Sequence, residues 1–184
     1  DVYNGAFDDG SGTAALLEIA RVLVQQAVPT RRSIIFLISD QEEQGLVGAG
    51  EWLDASPVPL TSIVAGIAAD PLGRALLPDY APFVISGAER SPGLAALLRE
   101  SADLTDHPLG FLHRMMIPLF GSDHDAFYPH GLPAVWLVSP GMSFYHQPTD
   151  DADTIDYRVL RDVSRYLLRV AVRIANDDRR YRYV

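Results

Sequence analysis

Apolar runs alternate with amphipathic stretches along the whole chain, which is the pattern of strands separated by helices. Ile34-Ile35-Phe36-Leu37-Ile38, inside Ser33–Ser39, has no polar interruption and predicts a strand buried on both faces. Further strands are predicted around Ile63–Ala69, Phe83–Ser86, Met115–Leu119 and Pro133–Val138. Helical spacing predicts a first helix over Ser11–Gln26, with Leu16, Ala20, Leu23 and Val24 on one face, Ser11 as N-cap and Pro29 breaking the chain beyond it. A short helix is predicted near Val47–Ala55, and a longer one over Pro92–Leu104, opened by Ser91 and Pro92. The last helix carries a continuous stripe of Leu160, Val163, Leu167, Val170, Ala171 and Ile174, with Asp156 as its N-cap. No repeat or linker interrupts the alternation, so residues 1–184 are expected to form a single domain. Its class is α/β, a mostly parallel central sheet with helices on both faces. Ligands in such folds sit beyond the C-terminal ends of the strands.

Composition narrows the chemistry. The 24 acidic residues outnumber the 15 basic ones, giving a formal charge of −9 that disfavours nucleic acid as a partner. No apolar run approaches the ~18 residues of a membrane span. Every basic residue is Arg, which excludes a Schiff-base or phosphate-loop lysine. The absence of Cys excludes a thiol nucleophile, a disulfide framework and a cysteine-ligated zinc. Carboxylates, hydroxyls and five His remain, with or without a metal.

The acidic clusters fall at strand ends. Gly5-Ala6-Phe7-Asp8-Asp9-Gly10-Ser11-Gly12 reads as a polar loop leading into a helix, or as a carboxylate, Asp8, held by tight glycine turns for a cation. Glu42 and Glu43 read as solvated charge, or as a metal ligand beside a base. Asp70 ends a strand before Pro71 and by itself is a turn residue. Ser122 or Asp123 can cap a short helix, and His146 alone is as well explained by structure as by ligation. A Ser11 nucleophile is set aside because no Gly-x-Ser-x-Gly elbow is present.

Taken in order, the segments resemble a known family. Gly-Ala-x-Asp-Asp-x-Ser-Gly at Gly5, Glu-Glu-x-Gly-Leu-x-Gly at Glu42, the strand-end Asp70, Ser-Asp-His-x-x-Phe at Ser122 and Tyr-His-x-Pro-x-Asp at Tyr145 look like the co-catalytic zinc aminopeptidases. That family includes bacterial leucyl aminopeptidases, aminopeptidase Y-like enzymes, glutamate carboxypeptidase and the related glutaminyl cyclases. The resemblance implies a phosphorylase/hydrolase-like fold and a zinc exopeptidase acting on peptides, in the first place an aminopeptidase. It implies that Asp8 bridges two zinc ions, that Glu43 and His146 complete one site, and that Asp70 ligates the other. Glu42 would be the general base and then the general acid, and Asp123 would belong to the supporting shell near the substrate amine. The peptide bond between Asp8 and Asp9 is expected to be cis.

The family pattern also has a His-x-Asp motif upstream of the Gly-Ala-x-Asp segment. The chain opens at Asp1 in a loop-like stretch and does not contain that motif. It is therefore expected to be the C-terminal portion of a longer chain, lacking the first strands of its sheet. Two zinc ions are expected in the longer protein, and one or none here. His107, His113, His124 and His130 show no matching context. The resemblance favours a secreted or periplasmic setting. The alternatives are a glutaminyl cyclase-like acyltransferase and a metal-free binding module of the same fold.

Overall fold

The computed structural model describes residues 3–25, 30–76, 82–105, 110–113 and 121–184. Four α-helices are found among them: α1 (Ser11–Val24), α2 (Val47–Asp54), α3 (Pro92–Glu100) and α4 (Tyr157–Asn176). The strands are β1 (Gly66–Ala69), β2 (Val84–Ser86), β3 (Gly110–Leu112) and β4 (Ala134–Val138). The expected strand at Met115–Leu119 lies outside the described residues.

The sheet order is β1-β4-β2-β3. β1 runs parallel to β4 and β2 parallel to β3, while β2 and β4 are antiparallel. The sheet is mostly parallel, as the alternation of strands and helices requires, with one reversed pairing. All five residues of β4 are buried, so both of its faces are covered. On one face Val135 and Leu137 join Ile85 in a core filled by Ala15 and Ile19 of α1, by Leu94, Leu97 and Leu98 of α3, and by Val163, Leu167 and Val170 of α4. On the other, the 3-10 segment Asp123–His130 packs between the sheet and α2. There Trp136 stacks on His124, and the Phe127 ring lies directly over Gly66, where a Cβ would meet it at 2.8 Å.

The long helix follows its stripe. Asp156 accepts from the backbone N–H groups of Arg158 (2.9 Å) and Val159 (3.4 Å), satisfying donors that the first turn leaves free. Tyr166, buried in the core, widens the expected stripe and packs its ring at a tilt against Phe83, 5.2 Å between centroids.

Four expectations are corrected. Ser33–Ser39 forms no ladder with the described residues, and Ile35 and Ile38 are 49% and 57% exposed. Burial on both faces requires neighbours on both sides, and only inward positions such as Phe36 reach the core. Ser11 is not a cap. Gly10 holds that position, and the Ser11 hydroxyl donates to the Phe7 carbonyl (2.7 Å) while accepting from the Leu72 N–H (2.9 Å). Val24 is 86% exposed because it lies on the side of α1 opposite Ala15. The predicted helix after Ser91 also ends early: α3 stops at Glu100, and a 3-10 turn covers Ala102–Leu104. No helix among the described residues is long and apolar enough to cross a membrane.

Candidate metal centre

The parallel pairing of β1 with β4 brings their C-terminal ends level, Ala69 opposite Leu137. Asp70 follows one strand and the loop bearing His146 follows the other. The Asp70 N–H donates to the Leu137 carbonyl at 3.2 Å, and the Ser139 N–H to the Pro71 carbonyl at 2.9 Å. The Asp70–Pro71 bond is cis.

Asp8 reaches the same edge through a tight turn. Gly5 takes a left-handed conformation (φ 59°), and its carbonyl accepts from the Gly10 N–H at 2.9 Å. The Asp8–Asp9 bond is cis, as the family resemblance led one to expect. Asp9 turns back to accept from the Gly12 N–H (3.0 Å) at the start of α1. Glu42 and Glu43 stand on a 3-10 turn bounded by left-handed Gln41 and Gly45. The Glu42 carbonyl accepts from the N–H groups of Gly45 (3.1 Å) and Leu46 (2.8 Å).

These elements bring Asp8, Glu43 and His146 together. His146 Nε2 lies 2.5 Å from Glu43 Oε1 and 3.1 Å from Asp8 Oδ2. One ligand atom from each residue lies within 4.8 Å of the other two. Asp70 sits behind this triplet, where its Oδ2 accepts from the Ser122 hydroxyl at 2.7 Å. Ser122 therefore does not cap the segment that follows it, because its hydroxyl is committed to Asp70. Asp123 stands nearby with its Oδ2 accepting from the Ser39 hydroxyl. The buried Oδ1 atoms of Asp70 and Asp123 find no hydrogen-bond donor.

So many carboxylates at close range resist ionisation. Burial, then repulsion from Asp70 and Glu43, pushes Asp8 up to about 7. Burial and Asp70 push Asp9 up to about 9. Glu42 rises to about 8, through burial and then repulsion from Asp70, Glu43, Asp123 and Asp8. Burial also raises Asp70, with Asp123 and Glu43 adding to it and the Ser122 hydrogen bond opposing. Asp123 is raised by burial against the bond from Ser39. A cation relieves such crowding. Two carboxylate oxygens and an imidazole nitrogen form a donor set suited to a borderline divalent ion, and the unpartnered oxygen of Asp70 adds an acceptor beside it.

Two further residues shape the site. Asp150 closes the Tyr145 motif, but its carboxylate turns out to grip the Asp8 turn: Oδ1 accepts from the Phe7 N–H (2.9 Å) and Oδ2 from the Asp8 N–H (3.0 Å). Arg74 lies against Phe7 and Phe144, and no motif or periodicity marked it. An open cleft of about 380 Å³ is lined by Tyr3, Gly5, Asp8, Glu43, His146, Gln147 and Asp150. Of the other histidines, His113, His124 and His130 do not join the cluster, and His107 lies outside the described residues.

The mixed carboxylate–imidazole set suits a divalent cation. The chain belongs to peptidase family M28, whose model matches residues 1–171. It is 29% identical over 174 residues to a probable zinc metalloprotease of Leptosphaeria maculans, covering 79% of this chain and 40% of that protein. It is 30% identical over 170 residues to a probable glutamate carboxypeptidase of Arabidopsis thaliana, covering 80% of this chain and 23% of that protein. Among solved structures, the aminopeptidase from Aneurinibacillus sp. strain AM-1 superposes with a TM-score of 0.75 at 27% identity, over 94% of this chain and 40% of that one. The chain thus spans less than half the length of each of these relatives.

Proposed function

We propose that residues 1–184 form the catalytic domain of a zinc-dependent exopeptidase that removes N-terminal residues from peptides. The observation that carries this reading is the convergence of Asp8, Glu43 and His146 on one point. Zinc is the metal named for the Leptosphaeria relative, and the donor set suits it. Asp8, Glu43 and His146 would hold one ion, and Asp8 and Asp70 would offer two carboxylates to a second. Zinc bound here would polarise the scissile carbonyl and acidify water.

The chain's own residues would do the rest. Glu42, beside the triplet but outside it, would take a proton from the attacking water and return it to the leaving amine. Ser122 holds Asp70 in place through its hydroxyl. Asp123, anchored by Ser39, would face the substrate's α-ammonium. Among the described residues no Arg lines the cleft, so no guanidinium stands ready to pair with a free substrate carboxylate, which supports the amino-terminal reading.

The test compares a leucyl-anilide with its N-acetylated form and with a peptide ending in a free glutamate, on zinc-loaded protein. Cleavage of the free-amine substrate alone is expected. Cleavage only at the carboxyl end, or only cyclisation of peptides beginning with Gln, would overturn the aminopeptidase reading.

A further inference from the structure

We propose that Arg74 and Asp150 form a clamp that sets the separation of the Asp8 and His146 loops, which makes both of them positioning residues for the metal site. This rests on the zinc reading above. Asp150 accepts three of the hydrogen bonds that join the loops among the described residues, beside the one from Asn4 to Asp151. Asp150 is 2% exposed and belongs to the His146 loop, where its N–H donates to the Gln147 carbonyl at 3.0 Å. Across the gap its two carboxylate oxygens accept from consecutive N–H groups, those of Phe7 and Asp8, and its carbonyl accepts from the Ala6 N–H at 3.1 Å. The backbone that carries the Asp8 side chain is thereby fixed from the His146 side.

Arg74 completes the clamp. Its guanidinium carbon lies 5.3 Å from the ring centre of Phe7, the residue before Asp8. It lies 4.1 Å from the ring centre of Phe144, on the His146 loop. Nη2 donates to the Ser143 hydroxyl at 3.0 Å, and the Arg74 carbonyl accepts from the Gly141 N–H at 2.8 Å. One planar cation therefore touches an aromatic ring from each ligand loop. Nη1 is buried without a hydrogen bond, so the Nη2 bond to Ser143, the two rings and the nearby Asp150 hold the group. Arg74 is only partly buried, and an aliphatic side chain in its place would keep the packing of the stem but lose both ring contacts and the Ser143 hydrogen bond. Those contacts bear on the metal site because ligands must be held to about 0.5 Å.

The experiment measures zinc affinity by competition with a chromophoric chelator, the visible spectrum of the cobalt-substituted protein, and the melting temperature of the chelated protein. Asp150→Asn replaces one acceptor oxygen by an amide N–H₂ and leaves one backbone N–H unmatched. Arg74→Met keeps the volume and removes the cation, while Arg74→Lys keeps the cation. Asp150→Asn and Arg74→Met are each expected to weaken zinc binding by about 10–100-fold, the range for groups that support a ligand. They should also alter the cobalt bands, and Arg74→Lys should recover part of both effects. Variants that bind zinc as tightly as wild type with an unchanged cobalt spectrum would overturn the clamp, even if their chelated forms melt lower. Should Asp150→Asn fail to fold, the Arg74 pair decides by itself. Wild-type protein that binds no zinc overturns the underlying reading, and the clamp with it.

Discussion

His146 Nε2 and Glu43 Oε1 lie 2.5 Å apart although 103 residues of chain separate them. Both side chains are about half exposed, so burial does not force them together. Asp8 Oδ2 stands 3.1 Å from the same nitrogen, and three groups aimed at one small volume are suited to sharing a cation. His146→Ala and Glu43→Gln are each expected to weaken zinc binding by more than the roughly 10–100-fold that loss of a supporting hydrogen bond produces. Chelator competition on the purified variants measures this. Wild-type affinity in either variant would remove that residue from the ligand set.

Glu42 is expected to behave differently from its neighbour. Glu42→Gln should reduce turnover of a leucyl-anilide by roughly 10²–10⁴-fold, the usual contribution of a positioned acid–base group. Zinc content should stay at the wild-type level, since Glu42 lies outside the triplet. Metal analysis beside the kinetic assay separates the two adjacent glutamates. Loss of zinc in Glu42→Gln would make it a ligand instead.

The grouping of Asp8, Glu43 and His146 was legible through the ordered motifs that carry the family resemblance, and Asp70 follows β1 at the same end of the sheet. The parts that were not legible depend on contacts between distant segments. Ser33–Ser39 has the composition of a buried strand, yet burial depends on neighbours that its own residues do not encode. Ser11 and Ser122 each sit where a helix cap is expected, but both hydroxyls are used across the fold, on Phe7 and Leu72 and on Asp70. Asp150 belongs to a recognisable motif, while its grip on the Phe7 and Asp8 N–H groups becomes visible only when the two loops meet. Arg74 is an isolated arginine before a chain segment without periodicity. The reversed pairing of β2 with β4 also escapes a pattern that marks strands but not their direction.

The crowded carboxylates make stability depend on pH. In the metal-free fold Asp8 is raised to about 7, Glu42 to about 8 and Asp9 to about 9, each first by burial and then by neighbouring charge. The folded chain therefore keeps protons that the unfolded chain has already lost. The stability these groups contribute is complete below the ordinary carboxylate values and is lost as pH rises through about 7–9. Chelated protein should melt several degrees lower at pH 9 than at pH 5, since each kcal/mol lost shifts the melting temperature of a chain this size by roughly 2–4 °C. Zinc should flatten the slope by supplying the positive charge that the protons otherwise provide. Scanning fluorimetry across pH with chelator or zinc reads both curves. A melting temperature that climbs with pH in chelator would contradict the electrostatic account.

The last expectation ties the helix framework to the site. Gly12 lies in the first turn of α1, and a Cβ there would run into the carbonyl of Ala69 and the carboxylate of Asp9. Ala69 ends β1 and leads directly into Asp70, while Asp9 adjoins Asp8 and accepts the Gly12 N–H. Gly12→Ala therefore has to push α1 off the sheet end or turn Asp9 away, and either movement reaches the cluster. Overpacking of this kind is expected to destabilise by about 1–3 kcal/mol, with weaker zinc binding alongside. Gly50 is the matched control, because it lies within α2 and a Cβ there meets nothing within 4 Å. Gly50→Ala should leave zinc binding intact and stabilise by up to about 1 kcal/mol, the helix-propensity difference between the two residues. Thermal melts and chelator competition on both variants compare them. If Gly12→Ala matched Gly50→Ala in both measurements, α1 could not approach β1 as closely as the site geometry requires.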